Sequence, residues 1–265
     1  MKKATIIIVF FIASCTPSGQ LIQSTTLPNN ISVTGKVFAS FFQQRAAEYR
    51  ALCFQAFNMA RLRVDESLQN SGKPKAIITD VDETILDNSA YDVHRTLQGK
   101  DYESKSWTQW IEMSAADTVP GAAAFLKYAA GKGVIIFYLT NREEKDRKGT
   151  LLNLQKFNLP NADNDHLVLK QSESSKEQRR REIVNTHDVV LLLGDNLADF
   201  TSMFDKKTLE EREINTNLLA AEFGKKFILI PNPVYGDWES TVYKYSNTLT
   251  VSQKDSAIKS VLKGY

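Results

Sequence analysis

"AIITDVDETILDNS", residues 76–89, decides how the rest of the chain is read. A β-branched apolar run leads, without a turn signal, into Asp80 and Asp82. Its length and composition predict a short buried strand. Carboxylates that close repel one another, and burial raises the cost of their charge. A chain that ends a buried strand this way needs something positive there.

Four further apolar runs extend this reading. "VIIFYLTNRE", "HLVLK", "DVVLLLGDNLADF" and "KFILIPNP" each have strand character. Helical stretches lie between them: "TVPGAAAFLKYAAGKG", residues 144–157, and "SSKEQRRREIVNTH", the last with serine as its cap. Upstream, residues 37–70 read as one long helix, and "YDVHRTLQGKDYESKSWTQWIEMSAAD" as irregular and partly helical. Buried runs alternating with helices predict an α/β fold, a Rossmann-like parallel sheet with flanking helices, plus a smaller mainly helical subdomain. Ligands of such sheets lie outside the strands' carboxyl ends. Asp80, Thr140, Lys176 and Asp195 each follow a strand or open the next helix, so all four can converge on one rim.

The chain has 265 residues, 42% of them hydrophobic, enough for one sizeable core. Its 33 basic and 31 acidic residues give a net charge of +2, without the basic excess that a nucleic-acid polymer calls for. Residues 1–14 read as a signal peptide, with Lys2 and Lys3 before an apolar stretch of about 11 residues, too short to span a bilayer. "IASC", ending at Cys15, resembles a bacterial lipobox, which makes Cys15 the expected lipidation site. Residues 15–35 read as a flexible tether and 36–265 as the folded domain. Cys53 is the one thiol left, on an apolar helix face, and is expected to be a buried hydrophobe.

Asp80, Asp82 and Asp195 offer hard oxygen ligands suited to Mg²⁺, which would offset the cluster. The Thr140 hydroxyl and the Lys176 ammonium suit phosphoryl oxygens. One carboxylate can attack phosphorus while another handles the proton. Together "DVDET", "LTNR", Lys176 and "GDNLADF" resemble the haloacid dehalogenase superfamily. Glu83 in place of the usual Gly, with "LDNSAY" and "GDNLADF", is similar to its class C acid phosphatases, bacterial lipoproteins described as acid phosphatases or 5′-nucleotidases.

The resemblance implies a Mg²⁺-dependent phosphomonoesterase working through an aspartyl-phosphate. Asp80 is then the nucleophile and Asp82 the proton carrier. Asp80, Asp195 and the Asp82 carbonyl hold the metal, and Asp199 supports its waters. Thr140 and Asn141 bind phosphoryl oxygens, and Lys176 orders nucleophile and phosphate. Lys170, six residues earlier, is its rival. Trp107 and Tyr235 match positions that stack an aromatic leaving group, which implies nucleoside or nicotinamide 5′-monophosphates. Asn88 and Tyr91 are expected to line the cleft, and Trp110 and Trp238 to sit in a core or interface. His94, His166 and His187 share no site-like spacing. The implied setting is a lipid-anchored protein of the outer membrane, with a homodimer left open. The competing reading is a surface lipoprotein that binds a phosphorylated ligand or haem for uptake. An intact Asp80–Asp82 pair argues against a pure binder.

Overall fold

The computed structural model describes residues 30–68 and 72–265. Cys15 and most of the expected tether lie outside the described residues. Two helices come first, α1 (Ile31–Arg45) and α2 (Ala47–Ser67). The first strand, β1 (Lys75–Thr79), leads to a two-residue strand β2 (Leu86–Asp87), helices α3 (Ser89–Leu97) and α4 (Ser104–Glu112), and β3 (Asp117–Thr118). Alternation follows: α5 (Ala122–Gly131), β4 (Ile135–Leu139), α6 (Arg147–Lys156), β5 (Leu167–Val168), α7 (Glu177–Thr186), β6 (Asp188–Gly194), α8 (Leu209–Leu218) and β7 (Phe227–Leu229). A short α9 (Asp237–Ser240) and α10 (Val251–Val261) close the chain.

Five strands form one sheet in the order β5–β4–β1–β6–β7, and every pairing in it is parallel. Period-2 alternation sends side chains to two cores. Ile77, Ile136, Tyr138, Leu191 and Leu193 pack on one face with α2 and α5. Ala76, Ile78, Phe137, Leu139 and Leu192 pack on the other with Ile183 of α7. The register slips between Ala76 and Ile77, which pair with Val189 and Leu191. That bulge leaves Val190 and Leu191 on the same side, as the core membership shows.

Because β1 is central, with β4 and then β5 added on one side of it and β6 and then β7 on the other, the strand order reverses there. That is the switch point where an open α/β sheet leaves a crevice. The antiparallel pair β2–β3 carries α3 and α4 out as an excursion, the expected helical subdomain.

The long helix expected over 37–70 is two. Ala46 is extended (φ −75°, ψ 127°) between α1 and α2. No Gly or Pro marks the break; packing imposes it, α1 turning to lie on α3 and α10 while α2 lies on α5. The first helix also starts at Ile31, inside the stretch read as tether, with Ser32 and Val33 buried. Its N-terminus is capped from afar: both Asp255 carboxylate oxygens accept first-turn amides, Ile31 at 3.2 Å and Ser32 at 2.8 Å. Cys53 is buried as expected, and burial pushes its thiol up to about 11. Among the described residues no helix is long and apolar enough to cross a membrane.

Candidate active site

Thr140, Asp80 and Asp195 sit at the carboxyl ends of the three adjacent strands β4, β1 and β6. The backbone is pinned there: Asp80 N–H donates to Leu193 at 2.9 Å and Thr140 N–H to Val168 at 3.0 Å. Lys176 stands at the start of α7 and reaches inward, 5% exposed. Its Nζ donates to Asp80 and, at 2.7 Å, to Asp199 Oδ1. Lys170 instead pairs with Glu143 on the surface. Of the two lysines, the geometry brings only Lys176 to the aspartates.

Asp80, Asp195 and Asp199 can each place one oxygen within 4.8 Å of the others. Burial pushes Asp80 up to about 7, with Lys176 opposing and Asp199 and Asp82 adding to the rise. Asp195 is pushed well above the carboxylate range by burial, then by Asp199 and Asp80. Its hydrogen bonds come from neutral donors, Thr84 Oγ1 at 3.2 Å and Asn232 Nδ2 at 2.8 Å. Three crowded carboxylates share one ammonium. A hard, oxygen-seeking divalent cation fits such a donor set. Asp199, expected to act only through waters, lies in the cluster itself. Its placement depends on Gly194, where any Cβ would collide with the Asp199 side chain.

Asp82 faces away from that cluster. Arg142 Nη2 donates to its Oδ1 at 2.7 Å and Nε to both oxygens at 3.1 and 3.3 Å. Asn88 Nδ2 adds a bond at 2.9 Å, and Thr140 Oγ1 stands 3.4 Å from Oδ2. The two aspartates of the motif therefore have different company. One lies among carboxylates with a lysine; the other is held by a guanidinium and an amide.

Beneath the rim, Arg179 donates to the Thr140 carbonyl and to Asn141 Oδ1, each at 2.7 Å, and Arg180 donates to the Asp199 carbonyl. None of the three arginines was assigned a role from sequence. The signal was there: 176, 179, 180 and 183 share one helix face, and Ile183 marks it as the inward one.

These residues open onto a cavity of about 660 Å³. Asn141, Trp107, Tyr235 and Tyr91 line it. The Tyr91 ring meets Trp107 edge-on at 5.0 Å, and the Arg142 guanidinium stands 5.7 Å from the Trp107 ring. Tyr235 hydrogen-bonds the buried Glu83 carboxylate. Asn88 is fully buried behind Asp82 rather than in the cleft wall, because Trp110 Nε1 and Glu83 occupy it too. Trp110 packs against the core, whereas Trp238 is 45% exposed and so is not a core residue. The histidines stay outside: His166 bonds Asp163, His187 bonds Thr186 and His94 bonds Gln98.

The family model of HAD superfamily subfamily IIIB (acid phosphatase) matches residues 15–238. The structure is similar to that of the class C acid phosphatase from Bacillus anthracis. Identity is 38%, the match covers 88% of this chain and 99% of that one, and the TM-score is 0.85. A structure of the same enzyme with tungstate bound matches at 39% identity, over 88% of this chain and 98% of that one, again with a TM-score of 0.85.

Proposed function

Because this chain belongs to subfamily IIIB of the HAD superfamily, the acid phosphatases, we propose that it hydrolyses phosphomonoesters through an aspartyl-phosphate on Asp80, with Mg²⁺ as cofactor. The chain is a phosphomonoester hydrolase; the mechanism, the metal and the substrate are the proposal. One observation carries it: Asp80 lies with Lys176 inside the carboxylate cluster, while Asp82, two residues on, is held apart by Arg142.

Asp80 attacks phosphorus and the bond from phosphorus to the ester oxygen breaks. Asp82 gives its proton to the departing oxygen. Water then attacks the aspartyl-phosphate, Asp82 takes a proton from it, and the bond to Asp80 breaks to release phosphate. Thr140 and Asn141 offer donors to the equatorial oxygens, with Lys176 beside them. Asp80, Asp195, Asp199 and the Asp82 carbonyl would hold Mg²⁺, which offsets their charge and that of the transferring phosphoryl group. That the Bacillus anthracis enzyme has been solved with tungstate bound, an oxyanion like phosphate, supports a phosphoryl substrate.

Trp107 and Tyr235 on the cavity wall support an aromatic leaving group, hence nucleoside or nicotinamide 5′-monophosphates. Cys15 and the leader before it support anchoring by lipid to the outer membrane, which Cys15→Ser should abolish. Intact-mass measurement on quenched reactions tests the mechanism. Phosphate should accumulate on Asp80 in Asp82→Asn and be absent in Asp80→Asn. Phosphate on a histidine or serine, or normal turnover by Asp80→Asn, overturns the reading.

A further inference from the structure

The cavity runs well past the phosphoryl site, and its far end is built from charge. Lys36 of α1 and Lys254 of α10 both line it. In a phosphatase, two lysines at the distal end would ordinarily invite a second phosphate. Here neither is free. Asp101, between α3 and α4, takes Lys36 on Oδ1 at 3.0 Å and Lys254 on Oδ2 at 2.6 Å. Glu239 of α9 stands 3.5 Å from Lys36. Asp92 of α3 adds a third carboxylate, whose Oδ2 is sealed from solvent without a hydrogen-bond partner. Asp101 and Glu239 thus pair with the two ammonium groups, and the Asp92 carboxyl lies buried beside them. Burial pushes the Asp101 carboxyl up, but Lys36 and Lys254 outweigh it and hold it well below its usual range, so the bridge stays ionised.

Tyr102 and Tyr243 also line the cavity, together with the uncharged Ser246 and Asn247. Glu239, Tyr243 and Lys254 lie beyond residue 238, where the match to the family ends. Lys36, Asp92, Asp101 and Tyr102 lie within the match, so the wall joins matched residues to a C-terminal segment outside it. It is also held firmly: Asp255, next to Lys254, caps α1, the helix that carries Lys36.

We propose that the Lys36–Asp101–Lys254 bridge is a specificity wall that admits flat, uncharged leaving groups and turns away those bearing a second phosphate. The proposal rests on the phosphomonoesterase reading of this same cavity. A second phosphate would find both lysines already paired with Asp101, and Glu239 beside Lys36, while a neutral ring can lie against the exposed Tyr102.

The test compares kcat/KM for a nucleoside 3′,5′-bisphosphate with that for the 5′-monophosphate of the same nucleoside. Asp101→Asn frees Lys254 and leaves Lys36 with Glu239 alone, so the bisphosphate-to-monophosphate ratio should rise about tenfold. Asp101→Glu keeps the bridge and should leave the ratio within about twofold of the wild type. Lys254→Gln makes the wall more negative and should lower the ratio about threefold; it carries the test should Asp101→Asn fail to fold by circular dichroism. Ratios that stay put in the folded variants, with p-nitrophenyl phosphate still hydrolysed, overturn this inference alone. A wild type inert towards every monoester overturns the phosphomonoesterase reading and this inference with it.

Discussion

Arg142 holds Asp82 in a fork, with Nη2 at 2.7 Å and Nε at 3.1 Å from the same carboxylate oxygen. Arg142 is itself anchored, donating from Nη1 to Thr150 Oγ1 at 3.0 Å. A carboxylate that must give and then take a proton is useful only if it stays aimed at the departing oxygen. The fork does that aiming, since the guanidinium cannot accept the proton that Asp82 moves.

Arg142→Ala should therefore damage the proton step more than phosphoryl attack. Turnover of alkyl phosphates, whose leaving oxygen needs a proton, should fall roughly 100-fold. Formation of the aspartyl-phosphate from p-nitrophenyl phosphate, followed by the burst of nitrophenolate, should fall far less. Equal losses on both would mean that Arg142 only supports the fold.

The carboxylate cluster predicts a stability response to metal. Mg²⁺ at 100 times its dissociation constant should stabilise the fold by about 2.7 kcal/mol. For a chain of this size that raises Tm by roughly 5–10 °C. Asp195→Asn should lose most of that shift together with turnover. A wild type fully active in EDTA with no metal by elemental analysis would contradict it, as would an unchanged shift in Asp195→Asn.

The strands and the polar residues that end them were legible because both follow from short local patterns. "AIITD" and "DVVLLLGDN" carry their strand and their carboxylate in one stretch, and Lys176 opens its helix. What escaped has no local signal. Ala46 breaks a helix inside a run of good helix formers because α1 and α2 find different partners. Arg142 looks like solvated charge until the fold turns it inward onto Asp82. Asp101 reaches Lys254 across 153 positions of chain. Such pairings are set by topology, and no spacing rule announces them.

Asp92 predicts how stability depends on pH. Burial pushes its carboxyl up to about 7 from an ordinary 3.8; Lys36 opposes, while Asp101, Asp87 and Glu239 add to the rise. Between those values the folded chain keeps a proton that the unfolded chain releases. Stability from this group therefore falls as pH rises through that window. Asp92→Asn removes the titration. It should be more stable than the wild type at pH 8, by about 1 kcal/mol or more, and no more stable at pH 4. Thermal melts at the two pH values decide, and an equal difference at both would refute the assignment.

Glu83 gives the last prediction, because two effects compete there. Its backbone is left-handed, φ +54°, which costs a residue with a side chain about 1 kcal/mol or more and costs glycine almost nothing. On backbone grounds alone Glu83→Gly would stabilise the fold. The side chain argues the other way. Glu83 is fully buried, and its carboxylate accepts from the Asn88 amide at 2.7 Å, from Asn88 Nδ2 at 3.3 Å and from the Tyr235 hydroxyl. Removing it strands donors at about 1–3 kcal/mol each where they cannot reach water, which outweighs the relief of strain. Glu83→Gly should therefore lower Tm by several degrees, about 2 kcal/mol or more in stability. It should also raise KM for nucleoside monophosphates, because Tyr235 loses the contact that fixes its ring against the cleft. Tyr235→Phe keeps the ring and the carboxylate and gives up one bond, so its effect on both should be smaller. A Glu83→Gly protein as stable as the wild type would mean that backbone strain, not the hydrogen-bonded carboxylate, dominates at this turn.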